Sequence, residues 1–213
     1  GIDSAAVVIY PGTRDIFLRA AGEHADRLTL IEQEAPRGYG HAVWSAHRFT
    51  GDDPFVLLVG DHLYLSHDEP SCVSQMLEVA ADHEGCISAV NPTHESELRY
   101  YGAVAASRVP VSPSLFEIHD VIEKPTPTLA EQELIVPGLR AGNYLCFFGM
   151  HLLTSRVMEH LGREVTRIEE GQKLGLSSTL AVIAAEKKCL AVELAGQRFN
   201  IGERYGLLRA QLS

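Results

Sequence analysis

Two short segments carry residues whose types suit nucleotide binding. The first, Gln33–Ala42, contains a glycine turn just before a helical pattern, and the second, Phe55–His62, is an apolar run that ends in Gly60 and Asp61. A glycine turn that opens a helix offers backbone N–H groups to a ligand. A carboxylate at the end of a strand can bind a metal ion. Together these segments predict a nucleotide site.

Gln33 is the candidate for recognising the base. Its carboxamide donates and accepts hydrogen bonds at once, which suits the imide edge of uracil or thymine. Gly38 and Gly40 have no Cβ, so the backbone could approach the base closely. Taken alone, the same residues also fit a glycine turn that only starts a helix.

Asp61 is the candidate metal ligand, because it follows a buried strand at the edge where α/β sheets bind ligands. A hard divalent cation there would bridge triphosphate oxygens and lower the charge cost of attack by another phosphate. The alternative is an aspartate that caps a following helix.

The first ninety residues alternate between apolar strands and amphipathic helices, which predicts a doubly wound, mainly parallel α/β sheet. From Tyr101 onward, the hairpin-like pair Tyr101–Ser107 and Leu115–Glu123 predicts an antiparallel elaboration. A proline-rich loop with a short helical or extended piece, Thr126–Gly138, and a late helix, Ser177–Lys187, follow. With no repeat or linker, we expect one α/β domain over residues 1–213.

Composition bounds the function classes. The chain has 213 residues, a net charge of −10 and a mean hydropathy near zero. An acidic protein is a poor general binder of nucleic acid or of anionic membranes, so neither is expected as a partner. Its four cysteines form no CxxC pair and predict neither a zinc site nor disulfides. No apolar run approaches a membrane span and no signal peptide is evident. We therefore expect a cytoplasmic protein.

Five motifs occur together in the order and spacing of the sugar-1-phosphate nucleotidylyltransferases. The chain most resembles the bacterial UTP–glucose-1-phosphate uridylyltransferases, or UDP-glucose pyrophosphorylases, over nearly its whole length. The resemblance implies a Rossmann-like, three-layer, mainly parallel mixed sheet with an antiparallel elaboration, of the nucleotide-diphospho-sugar transferase type. The motifs are Gln33-x-x-Pro36-x-Gly38-Tyr39-Gly40-His41-Ala42, Gly60-Asp61, Tyr101-Gly102, Glu123-Lys124-Pro125 and Asn200-Ile201-Gly202-Glu203.

The resemblance assigns roles to the residues that match. Asp61 and Lys124 would be catalytic, with Mg²⁺ held by Asp61 and, more weakly, by Asn200. The nucleotide would be bound by Gln33, Pro36, Gly38 and Gly40. The sugar phosphate would be bound by Tyr101, Gly102, Glu123, Lys124 and Asn143.

The sugar-phosphate half has a physical basis in these residue types. A carboxylate such as Glu123 can accept two hexose hydroxyls, and the Lys124 ammonium is a compact cation for phosphate. As a lone pair, Glu123 and Lys124 would also fit solvated surface charge. The register at Asn143 is open by one residue, with Tyr144 as the alternative.

Three departures from the family pattern affect the expected chemistry. Asn200 stands where the family has a second metal-binding aspartate, and a neutral amide binds Mg²⁺ less well. His62 stands where the family often has aspartate, and we expect it not to be a ligand. The family's Gly-x-Gly-Thr-Arg loop would lie about one βα unit before Gly1. We therefore expect the chain to lack its first βα unit and to be incomplete for catalysis.

Three functions remain open on these grounds. The leading one is nucleotidyl transfer from UTP or dTTP to a hexose 1-phosphate, giving a nucleoside diphosphate sugar and pyrophosphate, in a homo-oligomer. The second is a non-catalytic relative that binds a nucleotide sugar or has a regulatory role, which Asn200 and the missing loop motivate. The third is a glycosyltransferase, although Gly60-Asp61-His62 lacks the Asp-x-Asp motif of that class.

Overall fold

Two units of this chain are each built on their own strands. The computed structural model describes residues 2–67, 69–110, 112–186 and 189–213. One unit comprises residues 1–53 and 155–179, and the other comprises residues 54–154 and 180–213. The expectation of a single domain stays a prediction. In chain order, the strands and α-helices are β1 Ala5–Ile9, α1 Arg14–Ala21, β2 Leu28–Glu32, α2 Tyr39–Ser45, α3 His47–Thr50, β3 Phe55–Leu58, β4 His62–Ser66, α4 Cys72–Ala81, β5 Cys86–His94, β6 Gly102–Arg108, β7 Leu115–Glu123, α5 Pro127–Glu133, β8 Asn143–Leu153, α6 Ser155–Arg167, α7 Leu176–Ala185, β9 Cys189–Glu193, β10 Gly196–Asn200 and α8 Gly206–Gln211.

In the first unit, the parallel strands β1 and β2 position Gln33. They pair from Ala5 with Leu28 to Ile9 with Glu32. The crossover between them is α1 followed by a 3-10 helix over Gly22–Arg27, as parallel pairing requires. The Gln33 N–H donates to the Ile9 carbonyl at 2.9 Å. This bond fixes Gln33 at the carboxyl end of both strands, the edge where α/β sheets bind ligands.

The second unit contains a mixed six-stranded sheet in the order β3-β8-β5-β9-β7-β6. Strands β3, β5 and β9 run in one direction, and β8 lies antiparallel between β3 and β5. The 11 residues of β8 are mostly apolar and buried, which suits a strand covered on both faces. Strands β6 and β7 form the predicted antiparallel pair. The mixed α/β class, with parallel and antiparallel pairing, is confirmed.

Strand β4, which forms a two-stranded ribbon with β10, is the main element that the sequence did not predict. The expected third strand ends at Leu58, and a new strand begins at His62. The strand β4 alternates half-buried His62 and Tyr64 with exposed Leu63 and Leu65. It pairs antiparallel with β10, and its first residue, His62, lies opposite Asn200.

An apolar cluster anchors these elements in the second unit. Helix α4 packs its Cys72 and Met76 against strands β5, β7, β8 and β9. Phe148 on β8 is fully buried at its centre. A second cluster, which includes Leu98, Ala103 and Tyr144, lies beneath α5. Burial of this kind supplies most of the stabilising free energy of a sheet domain.

Helix boundaries follow their capping residues. Helix α4 begins after Ser71, whose hydroxyl accepts from the Ser74 N–H. Helix α5 lies within the predicted loop, because Thr126 caps it and Pro127 takes its first turn. Helix α7 ends at Ala185; Lys187, its predicted end, lies outside the described residues. Across the described ranges, no helix is long and apolar enough to cross a membrane.

The buried His151 makes stability depend on pH. It is 3% exposed, and its Nδ1 lies 2.9 Å from the Ser88 hydroxyl. Burial lowers its pKa to about 4, against about 6.5 in an unfolded chain. Between these values the unfolded chain binds more protons. Acidification through this window therefore favours unfolding.

We expect the free energy of unfolding to fall by about 2 kcal/mol from pH 7 to pH 5 through His151 alone. Urea unfolding at both pH values measures this. A His151→Asn variant should be less stable at pH 7 and lose less on acidification. The control His119→Asn, at an exposed site on β7, should keep the wild-type slope. Equal slopes for wild type and His151→Asn would contradict the prediction.

Candidate active site

The ribbon brings the candidate metal ligands Asp61 and Asn200 side by side. Asp61 lies in the turn before β4, so it does not cap a helix. The Ile201 N–H donates to the Asp61 carbonyl at 2.8 Å. A Cβ on Gly202 would lie 2.6 Å from Asp61 Oδ2 and 3.2 Å from Asn200 Oδ1. Both side-chain oxygens therefore border the space that Gly202 leaves open.

The Asn200 amide is also bonded within its own loop. Its Oδ1 accepts from the Gly202 N–H at 3.0 Å, and its Nδ2 donates to Glu203 at 3.2 Å. An aspartate at this position could make the first bond but not the second. The amide is therefore suited to the loop, although it brings no charge to a cation.

The oxygen atoms of Asp61 and Asn200 fit a hard divalent cation. Magnesium in phosphate-transfer sites takes one or two protein oxygens and fills its other positions with water and phosphate. Among the described residues, no group of three or more His, Cys, Asp and Glu side chains could hold a metal. A cation at this pair would depend on substrate oxygens for the rest of its coordination.

His62 packs beneath the pair rather than joining it. Its side chain is 8% exposed, and its Nε2 lies 4.0 Å from Asp61 Oδ1. Burial lowers the pKa of His62, which outweighs the opposing effect of Asp61. A Cβ on Gly149, which has φ 92°, would lie 2.5 Å from His62 Nδ1. Gly149 thus makes room for the ring, a role that the sequence did not reveal.

The sugar-phosphate candidates meet at the end of the β6–β7 hairpin. Gly102 pairs with Glu123, and the Lys124 N–H donates to the Tyr101 carbonyl at 3.1 Å. A Cβ on Gly102 would lie 3.0 Å from Glu123 Oε2. Lys124 has a positive φ of 47°, a conformation that non-glycine residues seldom adopt away from functional sites. The structure therefore brings four of the five predicted sugar-phosphate residues together.

Tyr101 connects this hairpin with the Asp61–Asn200 pair. The Arg198 guanidinium carbon lies 3.6 Å from the centre of the Tyr101 ring, and the His62 ring meets it edge-on at 6.0 Å. Burial raises the pKa of Tyr101, and the nearby Arg198 opposes that shift. Sequence reasoning missed Arg198, although its spacing of two from Asn200 on a strand indicates a shared face.

A cavity of about 440 Å³ opens along this face of the second unit. Its lining carries charges of both signs. Glu97 and Glu203 are acidic, and Arg198 and Arg209 are basic. Asn200 also lines it. Acidic and basic side chains therefore lie side by side with apolar ones in this cavity.

At the start of β8, Asn143 rather than Tyr144 is accessible. Asn143 is half-buried and donates to the Ala141 carbonyl at 3.4 Å. Tyr144 is 5% exposed and belongs to the cluster beneath α5. Asn143 therefore stays the sugar-binding candidate.

In the first unit, the glycine turn is shaped by a neighbouring segment. A Cβ on Gly38, which has φ 99°, would lie 2.5 Å from the Leu174 carbonyl oxygen. The Gly40 N–H donates to the same oxygen at 2.9 Å. The two glycines therefore let residues 174–175 approach, whereas the sequence suggested that they clear space for a base. Pro36 is exposed in this loop.

Gln33 is held by a partner on the following helix. Its Nε2 lies 2.8 Å from Nδ1 of His41, near the start of α2. The motif contains both residues, but their eight-residue separation gave no sign of this contact.

Comparison with known proteins identifies relatives of this chain. The chain is 28% identical over 189 residues to a UTP–glucose-1-phosphate uridylyltransferase of Streptococcus pneumoniae, covering 87% of this chain and 58% of the relative. It is 28% identical over 180 residues to the enzyme YngB of Bacillus subtilis, covering 84% and 55%. The chain thus spans a little over half the length of these relatives.

A solved structure shows the same fold. A UDP-glucose pyrophosphorylase in complex with UDP-glucose superposes with a TM-score of 0.79 at 22% identity, covering 97% of this chain and 78% of that one. The sequence pattern of the family described as Nucleotidyl transferase matches residues 1–211. The chain therefore belongs to the nucleotidyl transferase family.

Proposed function

We propose that this protein transfers a nucleotidyl group from UTP, or from dTTP, to a hexose 1-phosphate. The observation that carries the proposal is the continuous contact from Asp61 through His62 and Tyr101 to the hairpin residues Glu123 and Lys124. The candidate metal-binding carboxylate, the candidate sugar-binding carboxylate and the candidate phosphate-binding lysine then belong to one connected set of residues in the second unit. The relatives' names indicate UTP and glucose 1-phosphate as substrates.

In the proposed reaction, a phosphate oxygen of the sugar attacks the α-phosphorus of the nucleotide in line. The bond from the α-phosphorus to the bridging oxygen breaks, and pyrophosphate leaves. Lys124 holds the attacking phosphate, and Glu123 accepts hexose hydroxyls beside Gly102. Asn143 adds a further contact with the sugar. Catalysis here is largely positioning and charge neutralisation.

Asp61 and Asn200 would hold Mg²⁺, which neutralises charge on the phosphates when bound. Gln33 would read the base, with Pro36, Gly38 and Gly40 shaping its loop. The similar solved structure is a complex with UDP-glucose, which supports a nucleotide-sugar product of this kind. A homo-oligomeric state and a cytoplasmic location stay predictions.

Release of pyrophosphate tests the activity. We expect the full-length gene product to release pyrophosphate from UTP and glucose 1-phosphate. Lys124→Met keeps the length of the side chain and removes its charge. Loss of a charged hydrogen bond, about 1.5–3 kcal/mol, should lower kcat/KM about 10- to 100-fold. Glu123→Gln should act mainly by raising the KM for the sugar phosphate.

The matched control is Glu117→Gln, on the same strand but six residues from the hairpin end. It should retain wild-type kinetics and thermal stability. The absence of turnover with any sugar 1-phosphate would reject the proposal.

A non-catalytic protein that binds a nucleotide sugar is the second candidate. The observation in its favour is Asn200, whose amide is engaged by Gly202 and Glu203 and adds no charge at the cation site. Calorimetry separates the two functions. The binding protein would take up UDP-glucose with nearly equal affinity in EDTA and in Mg²⁺, and would show no turnover.

Restoring a carboxylate at position 200 tests the metal site directly. Asn200→Asp loses the bond to Glu203 and places two carboxylates together. In EDTA, the cost of about 1 kcal/mol should lower the Tm by about 2–4 °C. Added Mg²⁺ should reverse this loss, and its Kd should fall about tenfold, or 1.4 kcal/mol.

The control is Gln197→Glu, which adds a carboxylate at an exposed position of the same strand, β10. It should leave the affinity for Mg²⁺ unchanged. A Tm of Asn200→Asp that does not respond to Mg²⁺ would argue against a cation at this pair.

A further inference from the structure

The hydrogen bond between Gln33 and His41 defines which group donates and which accepts. Gln33 Nε2 lies 2.8 Å from His41 Nδ1. An amide nitrogen only donates, so Nδ1 must accept and carry no proton. His41 is therefore neutral, with its proton on Nε2. The reversed carboxamide, with Oε1 facing the ring, would require a proton on Nδ1.

Both partners are anchored by the backbone. Gln33 is fixed by its N–H bond to Ile9 at the end of β2. His41 lies in the first turn of α2, and its carbonyl accepts from the Ser45 hydroxyl at 2.9 Å. Trp44, one turn further along, stacks on His47 with ring centres 4.5 Å apart. A short bond between two such fixed groups sets the direction in which the carboxamide points.

The surroundings of His41 favour the neutral ring. Burial lowers its pKa, and the positive charge of Arg37 adds to that effect. The main elements packed against α2 are β1, α3 and α6. Strand β1 has no titratable residue, and α3 contributes His47 and Arg48. The titratable residues of α6 are Arg156, Glu159, His160, Arg163, Glu164 and Arg167.

We propose that His41 is a positioning residue that makes Gln33 select uracil or thymine over cytosine. Because His41 takes one amide hydrogen, Gln33 presents Oε1 and its second N–H to the base. Oε1 then accepts from the N3–H of a uracil or thymine imide, and the N–H donates to a neighbouring carbonyl. Cytosine reverses this pattern, with an acceptor at N3 and an amino donor beside it. This inference rests on the proposed base-reading role of Gln33.

Protonation of His41 reverses the selection. With a proton on Nδ1, the ring must donate, and the Gln33 carboxamide turns so that Oε1 accepts from it. The amide N–H groups then face the base and match N3 of cytosine. Preference for UTP over CTP therefore decreases as the pH falls through the lowered pKa of His41.

The ratio of kcat/KM for UTP to that for CTP measures this selection, between pH 8 and pH 5.5. We expect the wild-type ratio to decrease toward pH 5.5. In His41→Phe the acceptor is lost, and the ratio at pH 8 should fall about 10- to 100-fold and become independent of pH. His41→Gln restores an acceptor without a titrating ring, so it should recover most of the ratio and also lose its pH dependence.

The matched control is His47→Phe, which keeps a ring beside Trp44 and does not touch Gln33. It should show the wild-type ratio and pH profile. The corresponding ratio for binding is the Kd of CDP-glucose divided by the Kd of UDP-glucose, and calorimetry measures both. Selection can thus be tested even if turnover is absent.

Two failures are distinguishable. In the first, neither nucleotide gives pyrophosphate release, but binding is selective and the His41 variants change that selectivity. This outcome rejects the proposed reaction and keeps this inference. Turnover with a UTP-to-CTP ratio that neither His41→Phe nor pH alters keeps the reaction and overturns this inference. Failure to bind either nucleotide sugar overturns both.

Discussion

The antiparallel pairing of β4 with β10 is the constraint on which the candidate site depends. Asp61 precedes one strand and Asn200 ends the other, so the register decides whether they meet. A shift by one residue would turn every side chain of the ribbon to its other face. The bond from the Ile201 N–H to the Asp61 carbonyl secures the end of this register. Gly202 then leaves the space that both side chains border.

The same register brings two side chains of the ribbon into contact with an aromatic residue of the sugar-phosphate hairpin. His62 and Arg198, from the two strands of the ribbon, both contact Tyr101. Arg198 is held by one hydrogen bond to Thr93 at 3.1 Å, while its Nε and Nη1 are buried without a partner in the described structure. A buried cation over a ring recovers part of its lost hydration. Tyr101 is thus a structural link between the two halves of the site, as well as a candidate sugar contact.

Local chemistry was predictable from the sequence, and distant pairing was not. Asp61 is a candidate because an apolar run followed by a carboxylate is a signal within a few residues. Glu123 and Lys124 are candidates because they stand in a short motif. Strand β4 was missed because its five residues gain their stability from β10, more than 130 positions away. Such context regularly overrides local strand propensity.

The glycine turn shows a second limit of the same kind. Its composition predicted that Gly38 and Gly40 are needed for close approach, and the structure agrees that no Cβ would fit. What approaches them, however, is the segment at Leu174, more than 130 residues later in the chain. A sequence can indicate that a position must be small. It does not say which group occupies the space.

The two histidines near the candidate residues show how the partner, rather than the residue type, sets the chemistry. His41 Nδ1 faces an amide nitrogen and must accept. His62 Nδ1 faces the Phe148 carbonyl at 3.4 Å and must donate. Burial lowers the pKa of each, so both favour the neutral form. Since a neutral imidazole has one donor and one acceptor, the two rings must carry their protons on different nitrogens. The His41 ring is therefore suited to orienting the Gln33 side chain. The neutral His62 ring is suited to packing under the Asp61 carboxylate, because it adds no positive charge beside a bound cation.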